Sequence, residues 1–393
     1  VTSVRKYLRA LWIRLVAGSP GRFRREWEER PPMPLAAHVL VMLLAALAVL
    51  AGLLWLLTSD RTSPLTAART DQITLEVIRL AFYAVAGIGG VIALTVAYRR
   101  QRLSEIEVDR EDAKLYNERF AAAADQLSSE RAANRLAGVY AMAALADEWG
   151  PGRQTCVNVL CAYLRMPYEP PPRRNEREAA GADQFRPVLE ERLVRKTVVS
   201  VLAERLRAAP VHGRTWHGCD FDFTGATFDE GDLSRTVFTG SVTFSYARFP
   251  FATFDLSDAK FMGRVDFSNA RFLGAAVDFS GSHFLGEVDC SGIAVSGGEV
   301  RFRYAAFTGE FVSFSMSDFA GGTVLFEGCR FGPDTKATFV NSQFSGAYLD
   351  FSYAELEGAR LDFGRVASWE HPPHFDDFPD GPPRGLRLPE YRV

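Results

Sequence analysis

Hydrophobic and polar positions change their period twice along this chain. Between Leu35 and Leu57 run 23 residues whose one strongly polar member is His38, and between Leu80 and Tyr98 run 19 without a charge. Both stretches are apolar on every face, which predicts membrane spans and not surface helices. At about 1.5 Å per residue the first covers roughly 35 Å, enough to cross a hydrocarbon core. From Gln101 to Leu127 the chain has no Pro or Gly and is rich in Glu, Arg, Leu and Ala, predicting a helix. A second helix is expected from a Ser128 or Ser129 cap to Glu148, a third over 154–166 and a fourth over 188–208. Between the last two, Pro167 to Pro172 followed by Arg173 and Arg174 reads as a Pro-rich linker near 167–184.

From Cys219 the helical period gives way to a repeat. One row of large apolar residues runs through Phe244, Leu256, Phe267, Phe279, Cys290 and Phe302 to Phe363, in steps of 11 to 13. A second row, five residues behind, runs through Phe249, Phe261, Phe272, Phe284, Val295 and Phe307 to Leu356. The residue two places earlier is mostly Val in the first row and small in the second, as at Ala247, Ala259 and Ala270. Side chains two apart in an extended segment share a face. Each repeat is therefore expected to send a Phe and its smaller companion inward, so that stacked coils build an internal Phe ladder. Of 30 Phe, 24 lie between Phe221 and Phe363, where the outward positions are Asp, Ser, Thr, Arg and Gly.

This pattern resembles the pentapeptide-repeat proteins, whose unit is A(D/N)LXX with Leu or Phe at its centre. Ala226-Thr227-Phe228, Ala247-Arg248-Phe249 and Ala259-Lys260-Phe261 carry the resemblance, which covers about 218–364. It implies a right-handed quadrilateral β-helix. The departure is an alternating step of five and seven, which predicts either a coil widened to about 22–24 residues or two-residue bulges at alternate corners. With its run RFAAAADQLSSERAANRLAGVYAMAALADEW over 119–149, the layout is also similar to an actinobacterial group of membrane-anchored pentapeptide-repeat proteins. The expected fold is a membrane-anchored α part joined to an all-β solenoid. Its parts are a basic cytoplasmic segment (1–34), a two-helix transmembrane hairpin (35–98), a cytoplasmic helical neck (99–209), the repeats (210–364) and a Pro-rich tail (365–393). In the tail, Trp369 is expected to cap the last coil before the rest trails off.

Charge adds orientation. Residues 1–34 hold eight basic side chains, the loop at 58–76 only Arg61 and Arg69, and Arg99, Arg100 and Arg102 follow the second span. The positive-inside rule then places the chain as a multi-pass protein of the inner membrane with both termini cytoplasmic. Leu8, Leu11, Trp12 and Leu15 share a helical face, which suggests an amphipathic helix on the inner leaflet. Ala86, Gly90, Ala93 and Ala97 form a strip that admits another helix, either the first span or that of a second copy in a homodimer.

Candidate chemistry is sparse. Five Cys without a paired short spacing exclude a disulfide framework or a zinc module, and Cys156 and Cys161, five apart, read as packed thiols. His38 lies in a span, His212 and His217 flank the solenoid entrance, and His283 precedes an inward Phe. His371 and His374 with Asp376 and Asp377 form the one ligand-like cluster. No Gly-rich phosphate loop follows a strand. A Phe-packed solenoid also leaves no interior pocket, so the expectation is no enzyme: no catalytic, cofactor-binding or metal residues, no cofactor, and no small-molecule substrate. A net charge of −3 excludes a chain whose whole surface is a nucleic-acid footprint. The expected partners are membrane lipid along 35–98 and an unidentified protein on the solenoid surface, at residues the sequence does not assign; Arg301, Arg303 and Glu327 are among the outward candidates. Between Asp220 and Arg360, acids outnumber bases about two to one. Some soluble members of the family resemble duplex DNA and bind DNA gyrase, so a DNA-mimicking topoisomerase binder stays open beside the scaffold. Against it, Arg235, Arg248, Arg264 and Arg271 interrupt the acid. A sensor or effector acting through its transmembrane helices is the third reading.

Overall fold

The computed structural model of the protein describes residues 41, 44, 48, 51, 52, 55, 67–172, 182–207, 215–251, 253–379 and 381–390. It divides into two compact units, Val1–Glu111 and Asp112–Val393. The helices are α1 (Ala67–Leu127), α2 (Ala132–Glu148), α3 (Arg153–Arg165) and α4 (Arg186–Arg207). Among the described residues no helix is long and apolar enough to cross a membrane. The span expected at 35–57 falls almost wholly outside those residues, as does the amphipathic helix expected at 4–16. In the span expected at 80–98, the side chains of Leu80, Ala81, Ala84, Val85 and Ile88 also fall outside. Its described apolar side chains Phe82, Tyr83, Val91, Leu94 and Tyr98 are exposed on α1.

In the second unit, parallel strands form sheets of eight, nine and five strands. Three long strands, β1 (Arg271–Asp278), β2 (Ala294–Arg301) and β3 (Asp318–Leu325), run around a corner of the coil. The two ends of β1 pair with separate strands of the preceding coil, at Arg248–Phe249 and at Thr253–Asp255. The nine-stranded sheet therefore covers two faces and each coil has four, in a β-solenoid of about seven turns. At about 4.8 Å per coil this is roughly 34 Å of solenoid.

Both ways of absorbing the alternating step are used. Val265 pairs with Val288, Val288 with Val312 and Val312 with Ala337, offsets of 23, 24 and 25 residues. The excess residues lodge in bulges of β2, between Val295 and Ser296 and between Ser296 and Glu299. At other corners the chain closes hydrogen-bonded turns. Ala270 N donates to Phe267 O at 3.0 Å while Asn269 sits at φ 58°. Asp266 fixes the same turn, its Oδ1 accepting from Ser268 N at 2.8 Å, and Asp255, Asp278 and Asp289 do likewise for Ser257, Ser280 and Ser291. Much of the acid on the outer surface is thus engaged in closing the backbone.

Inside, the rings stack as the two-residue pattern predicts. Phe238, Phe261, Phe284, Phe307 and Phe331 form one column with centroids 4.9 to 5.2 Å apart and planes within 11°. Phe279, Phe302, Phe326 and Phe351 form another at 4.5 to 5.0 Å. Two further columns are interrupted in one coil, by Cys290 between Phe267 and Phe314 and by Val295 between Phe272 and Phe319. There Ile293 holds the position that Ala270 and Ser317 hold in the adjacent coils, so volume lost at Val295 returns two residues earlier. Val295→Phe alone is expected to overpack by about 1–3 kcal/mol, and Ile293→Ala alone to open a cavity costing about 2–5 kcal/mol. The double variant restores the regular repeat. Its loss in denaturant-unfolding free energy should fall short of the sum by at least about 1 kcal/mol.

Helices close the open end of the stack. Gly231 stands where the next coils place Phe254 and Val277, and a Cβ there would lie 2.5 Å from the Phe254 ring and 3.1 Å from Val199 of α4. Helix α4 thus covers the column that the sequence leaves unfilled. Ion pairs fix the contact: Arg165 with Asp222, Arg207 with Asp232, and both Arg192 and Lys196 with Glu230. His217 ties the first coil to α4, its Nε2 lying 2.9 Å from Leu206 O. The start of the expected linker is packed: Tyr168 is buried, its hydroxyl donates to Asp229 at 3.0 Å, and Pro171 is buried. At the other end Trp369 meets Phe344 edge-on at 5.3 Å, as a cap would. The tail then does not trail off. Phe375 stacks on Phe351 at 5.3 Å and Leu386 pairs with Leu361, because spacings of 24 and 25 residues keep both in register with the coils before them.

Candidate interaction surface of the solenoid

Nucleophiles and ligands are not assembled anywhere among the described residues. Cys156, Cys161, Cys219, Cys290 and Cys329 are buried free thiols. Burial pushes the Cys161 thiol up to about 12 and that of Cys290 well above its ordinary value, so neither ionises readily. His283 points outward as expected, while His38 and His212 lie outside the described residues. His371 and His374 are held by the last coil through their backbone N–H groups, which donate to Phe344 O and Leu349 O. Asp376 accepts from Tyr353 N at 2.8 Å. Among the described residues no group of three or more His, Cys, Asp or Glu could hold a metal ion. An open depression lined by Glu310, Thr335, Lys336 and Arg360 mixes both charges.

The outer faces are the remaining candidates. Arg301 pairs with Glu299 and with Asp278 at 3.4 Å, Arg303 with Glu327 at 3.0 Å, and Arg264 with Asp289 at 3.4 Å. Arg330 reaches Glu355 at 3.1 Å and Glu357 at 3.4 Å. These four arginines are therefore paired with the acid, mostly across neighbouring coils, and each such exposed pair contributes about 0–1 kcal/mol. Like charges stand directly opposite each other on successive coils at Lys336 and Arg360, and on a second face at Arg248 and Arg271. Tyr246 and Phe251 beside them are 60 % and 56 % exposed. The spacing rules did not single out these two aromatics. Both fall off the inward rows, but each stands two residues after an inward Phe, so parity alone would have turned it inward.

Two carboxylates at the docked end of the solenoid, Asp222 and Asp232, are expected to contribute a pH dependence. Burial pushes the Asp222 carboxyl up, but hydrogen bonds from Thr224 and the Arg165 guanidinium outweigh it and leave it below the usual range. Asp232 behaves the same way through Ser234 and Arg207. A carboxylate with a depressed folded value contributes stability that is present above the unfolded value, near 3.9, and is lost as pH falls through the folded one. Thermal unfolding followed from pH 6 downward should show the loss beginning below about 4, and Arg165→Met with Arg207→Met should flatten it.

Stacked coils around four columns of aromatic and aliphatic side chains define this unit as a β-solenoid. Residues 256–305, within this solenoid, match the family described as pentapeptide repeats (9 copies). No curated protein and no solved structure matches the chain.

Proposed function

We propose that this chain is a membrane-anchored, non-catalytic scaffold whose solenoid binds another protein at the inner leaflet. The observation that carries the reading is the filled interior. Phe238, Phe261, Phe284 and Phe307 are at most 1 % exposed and stack ring on ring, which leaves the outer faces as the place for recognition. Flat faces with residues in registered columns suit a protein surface and cannot shield a small substrate from water. Pentapeptide repeats often serve as protein-interaction or scaffold elements. The anchor rests on the uncharged stretch Leu80–Tyr98, on the exposure of Phe82, Leu94 and Tyr98 in α1, and on the apolar stretch 35–57. Apolar side chains around a whole helix call for a lipid environment.

Fractionation of cells expressing the chain tests the reading. The full chain should stay with membranes through alkaline carbonate extraction. A chain lacking 35–98 should be released, and one lacking 218–364 should remain in the membrane but recruit no partner. Release of the full chain by carbonate would remove the anchor. Turnover of a small molecule by the purified chain would remove the scaffold.

A further inference from the structure

We infer that the face carrying Arg248 and Arg271 is a docking surface for an acidic, extended segment of a partner protein. The inference rests on the scaffold reading and names the chemistry that reading leaves open. Like charges directly opposite on neighbouring strands are unfavourable, yet Arg248 and Arg271 share one register position on successive coils. Arg271 has no ion pair among the described residues, unlike Arg264, Arg301, Arg303 and Arg330. Arg248 has a partner that shows the mode of binding: Glu169, from the Pro-rich Tyr168–Pro172 stretch, places its Oε1 3.6 Å from the guanidinium. That carboxylate is 87 % exposed, so it lies across the surface without being enclosed by it.

The surroundings supply apolar contact. Tyr246 precedes Arg248 by two residues. Phe251 crosses to the next coil, where its Cδ1 would be 3.7 Å from a Cβ at Gly274, beside Leu273. Exposed Tyr and Phe around two guanidiniums give the composition in which interface energy concentrates. The patch is bounded, because the next coil places the uncharged Ala294 in the same column. Coils are about 4.8 Å apart, so a partner segment crossing the face would set one carboxylate against each arginine and an apolar side chain against Leu273 or Phe251. Unlike the in-register Lys336 and Arg360, which share their depression with Glu310 and Asp334, this face joins two guanidiniums to exposed aromatics, and an acidic segment meets attraction there.

The test uses the full chain in detergent and a fluorescein-labelled peptide of alternating glutamate and leucine, followed by anisotropy at low salt. Arg271→Glu should weaken binding at least tenfold. Lys260→Glu, an exposed charge reversal on another face, should change it less than twofold. Glu169→Gln removes the internal competitor and should tighten binding about twofold or more. Binding that is indifferent to Arg271→Glu, or equally sensitive to Lys260→Glu, would overturn the assignment. So would a labelled DNA duplex whose binding depends on Arg271 when the peptide does not bind. None of these outcomes bears on whether the solenoid contacts a protein through another face, which the cell-based experiments decide.

Discussion

Phe314→Asp is expected to unfold the solenoid. Phe314 is 1 % exposed, stacks on Phe339 at 5.0 Å, and meets Phe302 and Phe326 edge-on at 6.2 and 5.4 Å. Truncating such a ring costs about 3–5 kcal/mol. A carboxylate in its place would add the penalty of an unpaired buried charge, several kcal/mol more. The total is comparable to the whole stability of an ordinary domain, about 5–15 kcal/mol. Because coils fold by stacking on neighbours, the defect should spread along the solenoid. Asp318→Lys, four residues away on an exposed outward position, should stay within about 0.5 kcal/mol. Comparing the two by thermal unfolding checks the facing of the whole repeat, and equal shifts would reverse it.

Gly298→Val should also be strongly destabilising, for a backbone reason. Gly298 sits at φ 76° in the β2 bulge, and a Cβ there would be 2.2 Å from Ala275 O and 2.8 Å from Ala275 N of the preceding coil. Both are backbone atoms of a paired strand, so neither can turn aside. Left-handed backbone in a residue with a Cβ costs about 1–2 kcal/mol, and the overlap adds about 1–3 kcal/mol or more. Circular dichroism melts should show a loss of about 2–5 kcal/mol. Ser296→Ala, exposed on the same strand, should melt like the parent.

The contrast between these two sites explains what the sequence could disclose. Phe314 lies in a row that repeats every 11 to 13 residues, so periodicity alone assigns its direction. Gly298 belongs to a corner whose shape depends on the coil beneath it, and spacing left a wider coil and a bulge as alternatives. The end caps were harder still. That α4 covers the first coil follows from Val199 meeting Gly231 and Arg207 meeting Asp232, contacts between segments tens of residues apart. The sequence did carry a trace of it, a glycine where the inward row wants a large side chain. Phe375 and Leu386 also kept the coil spacing, but Pro-rich composition around them argued for a trailing tail. For the candidate surface, the outward parity of the arginines was legible, whereas the pairing of Arg301 and Arg303 and the absence of a pair at Arg271 depend on which coil lies next.

Site-specific photo-cross-linking in intact cells tests the central claim most directly. A cross-linking amino acid would replace one surface residue on each face of the full chain, at half-buried Leu273 and at exposed Leu285, Tyr348 and Phe311. The account predicts a discrete protein adduct in the membrane fraction, strongest from Leu273 and lost when Phe314→Asp is added. Adducts from none of the four faces, in cells where the chain is folded and in the membrane, would contradict it.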